Sequence, residues 1–199
     1  GVSILTTIGI VVSLLLPAIQ FFREVSITEF LTGTSWTPRF QDPTFGVLPL
    51  ITGTMWTTAI ALSVSIPIGL GAAIYLSEYA STRTRKVFKP TLELLAGVPS
   101  VVYGLFAVTF VGPVVLKEWL GIEVATFSVL AAGLVLGVMI IPTVASLAED
   151  AMSAVPRALR EASYGLGANR MRTVLRVVFP AAVSGIAAAI VLGLSRAVG

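Results

Sequence analysis

Long apolar stretches that carry almost no charge constrain this chain more than any other feature. The first, Val2 to Phe22, contains no charged residue and is long enough as a helix to cross about 30 Å of hydrocarbon. Hydrophobic residues make up 56% of the 199 residues and charged residues 12%, whereas an average soluble domain has about 25% charged residues. The sequence therefore predicts an all-α membrane protein.

Five such stretches are expected to form the membrane spans of a single transmembrane domain, residues 1–199. The first span lacks a basic start and a small-residue cleavage site, which favours an anchor over a removable signal. Pro67 is expected to kink the second span, and the third span is expected to be broken at Gly97-Val-Pro99-Ser100 and at Gly104. The pairs Gly133 with Gly137 and Ala189 with Gly193 permit close helix contacts, without indicating the partner. The expected spans are about 2–22, 48–76, 89–116, 125–147 and 174–199, and residues 149–173 form a polar loop.

The residue types that are missing exclude several kinds of chemistry. The chain has no cysteine and no histidine, so a disulfide framework, a thiolate nucleophile and the usual zinc sites are excluded. No phosphate-binding Gly-x4-Gly-Lys-Ser/Thr loop occurs either. We therefore expect no enzyme activity, no ATP hydrolysis by this chain, no metal and no cofactor. The net charge is +3, but its positive residues are not clustered on one polar face, so no nucleic-acid partner is expected.

The distribution of basic residues predicts the orientation in the bilayer. Loop 80–90 contains four basic residues and loop 149–176 contains five, against three in the connections on the other side. Basic loops remain in the cytoplasm. The polar loop is therefore expected to be cytoplasmic in a multi-pass protein of the plasma (inner) membrane. The nine residues are Arg83, Arg85, Lys86, Lys89, Arg157, Arg160, Arg170, Arg172 and Arg176, and the three are Arg23, Arg39 and Lys117.

The polar loop contains the signals of a short helix followed by a glycine break. Pro156 suits the first helical position, where its missing N–H costs nothing. Gly165 and Gly167 can end the helix or let another chain approach the backbone. At helical spacing, one side carries Leu159, Ala162, Ser163 and Leu166, while Arg157, Arg160 and Glu161 point elsewhere.

The loop also resembles the cytoplasmic signature of ABC importer permeases: Glu-Ala-Ala, three residues, Gly, nine residues, Ile, one residue, Leu-Pro. Here Ser163 replaces the second Ala, Val177 the Ile and Phe179 the Leu. The resemblance implies the six-helix fold of a type I importer permease, with about five helices present and the chain apparently truncated. It implies that the loop docks on an ATPase dimer. The residues assigned to that coupling role are Pro156, Arg157, Arg160, Glu161, Ala162, Ser163, Gly165, Gly167 and Pro180.

Other segments resemble the phosphate-importing members of this family. The most specific segment is Gly97-Val-Pro99-Ser100-Val-Val-Tyr103-Gly104. The resemblance implies three further partners: a second homologous permease subunit, an external phosphate-binding protein and the lipid bilayer. Three alternatives stay open. One is a related importer for another oxyanion or small solute. The second is an ion-coupled secondary carrier, although carriers usually place acidic residues at midmembrane, and the third is a channel or purely structural membrane subunit, which would need neither Glu161 nor Gly167.

A phosphate path requires cations and hydrogen-bond donors, because an unpaired charge in hydrocarbon costs several kcal/mol. Arg196 lies deep in an apolar run, and its guanidinium fork matches phosphate oxygens. Ser100 and Tyr103 offer neutral donors. Glu93 is interpreted instead as an N-terminal helix charge or as a partner of Lys89.

Overall fold

Ten α-helices form the regular structure of residues 2–125 and 127–198, which are the residues described by this computed structural model. Short π-helical segments continue three of them: 75–79 after α3, 107–119 after α5 and 174–178 after α8. No strand occurs among these residues, apart from one isolated bridge between Trp36 and Phe45. The helices are α1 Val2–Glu24, α2 Ile27–Thr32, α3 Leu48–Ile74, α4 Thr82–Ala96, α5 Ser100–Phe106, α6 Val129–Ser153, α7 Arg157–Gly165, α8 Arg170–Thr173, α9 Phe179–Ala181 and α10 Val183–Val198.

The chain divides into two units, residues 1–54 and 55–199. In the first unit, the side chains of Phe21 and Phe22 meet Phe30 edge to face, with ring centroids 5.8 and 5.3 Å apart. Such pairs add about 0.5–1.5 kcal/mol beyond their buried area. A Cβ on Gly33 would lie 2.6 Å from the Cα of Gly46. The loop that follows α2 therefore closes only because both positions lack a side chain.

Helix α6 is the centre of the second unit. Its N-terminus is capped by Ser128, whose hydroxyl accepts the amide of Leu130 at 3.2 Å. Twelve of its residues are buried, and they contact α4, α5 and α10. Because α6 carries no charge before Glu149, almost its whole length can be surrounded by apolar helices.

Small residues bring neighbouring helices close to α6. A Cβ on Gly137 would lie 2.9 Å from the carbonyl oxygen of Ala61 in α3, and one on Gly193 of α10 would lie 3.0 Å from the side chain of Ile140. The small-residue pairs in the sequence therefore face α3 and α6, which supplies the partners that the sequence left open.

Four helical stretches have the length and composition of membrane spans: Val2–Glu24, Leu48–Tyr79, Ser100–Trp119 and Val129–Ser153. A fifth is possible if Arg170–Ala181 and Val183–Val198, which meet at 73°, form one bent span. The predicted third span, 89–116, contains a break where one was expected, since α4 ends at Ala96 and α5 begins at Ser100. Pro99 has no amide hydrogen and disfavours helical geometry at the preceding residue. Pro67 and Pro142 lie inside α3 and α6 instead.

Candidate functional site

The polar loop forms α7 and then turns sharply at Gly167. The amide of Gly167 donates to the carbonyl oxygen of Tyr164 at 2.9 Å, and that of Ala168 donates to Ser163 at 3.1 Å. This pair of bonds is the Schellman motif, which places one residue in the left-handed region. Gly167 has a φ of +83°. The predicted glycine break is therefore found at Gly167, whereas Gly165 ends the helix with ordinary geometry. Pro156 precedes the first helical residue instead of occupying it.

Arg160 fixes the inner side of α7 to two other helices. Its Nε and Nη2 donate to Oε1 of Glu78, at 3.1 and 2.8 Å. Nη1 donates to the carbonyl oxygen of Val155 at 2.6 Å, and Nη2 to that of Met152 at 2.8 Å. The guanidinium thereby satisfies carbonyls at the C-terminal end of α6 and neutralises the Glu78 carboxylate, which lies in the π-helical segment that continues α3.

A second polar contact holds the far end of α7. The hydroxyl of Ser163 lies 2.9 Å from that of Thr173 in α8, and the Thr173 side chain is fully buried. Ser163, which stands where the signature has its second alanine, is thus hydrogen-bonded in this chain. Arg160 and Ser163 together anchor α7 from one side.

The rest of α7 is exposed and carries several apolar side chains. Leu159 is 45% exposed, Tyr164 is 42% exposed and Leu166 is 90% exposed. Glu161 and Ala162 are also exposed, and a side chain added at Gly165 would meet no atom within 4 Å. Most of the apolar side that the helical spacing predicted therefore lies on the outside of this chain. Pro180, in α9, is exposed as well.

A buried carboxylate, Glu149 of α6, joins that helix to α4. It pairs with Arg85 and, at 3.1 Å, with Lys89, and it accepts a 2.7 Å hydrogen bond from Ser153. Lys89 also pairs with Asp150. Lys89 therefore does not pair with Glu93, which is exposed in the last turn of α4. Both interpretations of Glu93 are wrong, because Lys89 faces α6 and because Glu93 lies near the C-terminal end of a helix that began at Thr82.

Sequence reasoning missed the acidic partners Glu78, Glu149 and Asp150. Each is separated from its cation by 60 to 82 residues, so no local spacing connects them. One signal was available: Glu149 and Asp150 end an otherwise uncharged helix, and a charge in such a position requires a partner.

The three residues predicted for a substrate path do not meet at one point. Arg196 donates to the hydroxyl oxygen of Thr143 at 2.5 Å and to the carbonyl oxygen of Ala96 at 2.9 Å. The hydroxyl of Tyr103 donates to the neighbouring carbonyl, that of Leu95, at 3.4 Å. Both side chains thus satisfy carbonyls at the end of α4. Ser100 and Tyr103 also line a mainly apolar cavity of about 520 Å³, whose lining does not include Arg196.

The apolar helices around α6, and the short polar helix anchored against their ends, define a multi-pass membrane component of a transport system. The chain belongs to the family of binding-protein-dependent transport system inner membrane components, whose model matches residues 65–199. This confirms the resemblance to ABC importer permeases.

Two relatives of this chain are named as permease proteins. The chain is 40% identical over its whole length to the probable ABC transporter permease protein YqgH of Bacillus subtilis, and it covers 64% of that protein. It is 33% identical to the phosphate transport system permease protein PstC of Mesorhizobium japonicum, over 96% of this chain and 63% of that protein. The chain thus spans less than two thirds of the length of these relatives.

A solved structure supports the fold. The MetNI methionine ABC transporter, in inward-facing conformations, aligns with a TM-score of 0.57 at 22% identity, covering 77% of this chain and 68% of the transporter chain. The predicted fold class, an all-α permease, is therefore confirmed.

Proposed function

We propose that this chain is part of the membrane-spanning subunit of an ATP-driven importer of inorganic phosphate, and that α7 is its coupling helix. In this proposal an external binding protein delivers phosphate and two homologous permease subunits enclose the path. A cytoplasmic ATPase dimer closes on ATP and pushes on α7. The subunit itself performs no covalent chemistry.

The combination of anchored and exposed side chains in α7 is the observation that carries the coupling role. A helix that transmits a push must be held firmly to its own chain and still be free to contact a partner. Arg160 and Ser163 hold α7 to the chain, while Leu159 and Leu166 are exposed. Exposed apolar side chains with charged residues beside them have the composition of a protein contact. The loop's basic residues favour a cytoplasmic position.

The relatives and Arg196 support phosphate as the solute. Proteins named phosphate transport permeases match 86% to 96% of this chain at 33% to 36% identity. Among the described residues, Arg196 bonds only to neutral oxygens, those of Thr143 and Ala96. Within residues 2–125 and 127–198 no carboxylate cancels its positive charge, as a cation that meets an oxyanion requires.

Uptake of radiolabelled phosphate by the complete importer tests both parts of the proposal. Unlabelled sulfate, molybdate and phosphonate serve as competitors. Glu161→Lys is the test variant, because Glu161 is exposed and has no ion pair within residues 2–125 and 127–198. Glu118→Lys, at an exposed glutamate outside the loop, is the matched control.

We expect uptake that only unlabelled phosphate suppresses, and that Glu161→Lys removes while Glu118→Lys preserves. Suppression by another competitor would favour the alternative of a related importer for a different solute. Equal uptake by both variants would contradict the coupling role of α7, and uptake without ATP would favour a secondary carrier.

A further inference from the structure

A cavity of about 370 Å³ lies between α7 and the ends of neighbouring helices. Its walls come from the π-helical segment 75–79 that continues α3, from the C-terminal end of α6, from the first turn of α4, from α7 and from α8. Four arginines line it, together with two glutamates, two serines and a tyrosine. They are Arg85, Arg157, Arg160, Arg170, Glu78, Glu161, Ser77, Ser153 and Tyr164.

Two of the four guanidiniums are neutralised within the chain. Arg160 is paired with Glu78, and Arg85 with Glu149, which lies outside the lining. Arg157 and Arg170 have no carboxylate within 4.0 Å among the residues that the structure describes. Arg170 lies over the ring of Tyr79, 5.0 Å from its centroid, a contact that orients the guanidinium but leaves its charge uncancelled. Glu161 is the remaining acidic group in the wall.

Of the three hydroxyl groups that line the cavity, two are hydrogen-bonded to described side chains and one is not. Ser77 donates to Glu78, and Ser153 donates to Glu149 while it accepts from Arg85. The hydroxyl of Tyr164 forms no hydrogen bond with another described residue. The cavity thus contains two uncancelled guanidiniums and one phenol, held on a frame of satisfied ion pairs.

We propose that this cavity binds a phosphate group, with Arg157 and Arg170 as its cationic ligands and Tyr164 as a neutral donor. Guanidinium forks match the oxygens of a phosphate and form charge-assisted bonds to it. The lining carries four positive and two negative side chains, so a phosphate reduces its net charge, and Glu161 limits that gain. The volume lies in the range of small-molecule sites, about 300–1,000 Å³.

The position of the cavity allows two sources for the phosphate group. Basic pockets at the ends of membrane helices bind anionic lipid headgroups, and free inorganic phosphate has the same oxygens. Arg157, Glu161 and Tyr164 line the cavity and are also exposed at the surface of α7, and the proposal does not require that surface to dock an ATPase.

The test uses the full-length permease with Arg157→Gln and Arg170→Gln combined. Arg83→Gln combined with Arg172→Gln is the control, since these two arginines are exposed, lie outside the lining and give the same net charge. Binding of radiolabelled inorganic phosphate to detergent-purified protein is measured by equilibrium dialysis. In parallel, protein in nanodiscs of mixed phosphatidylglycerol and phosphatidylcholine is re-extracted and its retained lipid is quantified by mass spectrometry.

Saturable phosphate binding that weakens at least about tenfold in the test pair and stays within about twofold in the control supports the site with free phosphate as the ligand. Preferential retention of phosphatidylglycerol, lost only in the test pair, supports the site with a lipid headgroup. Tyr164→Phe is expected to weaken either signal by about three- to tenfold, because it removes one neutral hydrogen bond. The absence of both signals, or equal losses in test and control pairs, overturns the proposal.

Discussion

Arg160 and Arg196 both connect three helical segments, but of the two only Arg160 is paired with a carboxylate among the described residues. Arg160 binds a buried carboxylate, that of Glu78, in addition to two carbonyl oxygens. Its side chain is only 16% exposed and that of Glu78 only 5%. Arg196 is exposed and bonds to one hydroxyl and one carbonyl oxygen, with no carboxylate nearby among the described residues.

This difference separates a structural arginine from one that retains its charge for a ligand. A guanidinium that is paired and buried costs several kcal/mol if its partner is removed, and it has little attraction left for an anion. A guanidinium held only by neutral oxygens keeps its attraction for an anion. We therefore assign Arg160 to holding α7 and Arg196 to the proposed phosphate path.

The largest expected effect is on stability, when Glu78 is replaced. Glu78→Gln leaves the Arg160 charge without its partner, and breaking such a pair costs about 3–5 kcal/mol. We expect a loss near the lower end, because Arg160 retains some exposure. Denaturant unfolding of the full-length permease in detergent measures this, with Glu118→Gln as the exposed control. A loss no greater than that of the control would remove Arg160 from the structural role.

A smaller stability effect, with a large effect on transport, is expected at Arg196. Arg196→Gln removes two hydrogen bonds to neutral oxygens but leaves no buried charge without its partner, so we expect a smaller loss than for Glu78→Gln. Phosphate uptake should nevertheless fall by roughly tenfold or more, because the charge that meets the oxyanion is lost. Arg196→Lys keeps the charge and should recover part of the uptake. If Arg196→Gln destabilises the protein as strongly as Glu78→Gln, the two arginines do not differ in the way described.

The smallest effect concerns the two glycines at the end of α7, Gly165 and Gly167, which are separated by Leu166. Gly167→Ala forces a side chain into a left-handed conformation, with φ at +83°, at a cost of about 1–2 kcal/mol. Gly165→Ala should be neutral or slightly stabilising, since its geometry is helical and the space around it is open. Comparing the unfolding free energies of the two variants checks this. Equal values would contradict the Schellman ending.

The helices could be predicted from sequence where a long stretch is uncharged, and not where a polar helix precedes an apolar one. Val129–Ser153 begins and ends within a few residues of the predicted apolar stretch and polar loop. Residues 89–116 were predicted as one span with a break at Gly97 and Pro99, whereas the structure has two separate helices there, α4 and α5. The sequence contains those signals, but does not say whether a proline bends a helix, as Pro142 is tolerated inside α6, or separates two.

The outer half of the candidate site was predictable and the inner half was not. Glu161 and Gly167 belong to a contiguous signature, so their spacing alone identifies the loop. The ion pair that holds the loop joins Arg160 to Glu78, which is 82 residues away in the sequence. Which cation meets which buried carboxylate follows from how the helices pack, and packing at this range is not encoded in local periodicity.

Crosslinking from the outer face of α7 tests the central claim most directly. The chain contains no cysteine, so Leu166→Cys introduces the one thiol of residues 1–199, at a side chain that is 90% exposed, and any cysteine elsewhere in the importer is first replaced by serine. Trp119→Cys, at a residue 68% exposed outside the loop, is the control. In the assembled importer, a short thiol-to-amine crosslinker should join the permease to the ATPase subunit from position 166 and not from position 119, with a yield that changes when ATP is added. No crosslink from position 166, or equal crosslinks from both positions, would contradict the assignment of α7 as the coupling helix.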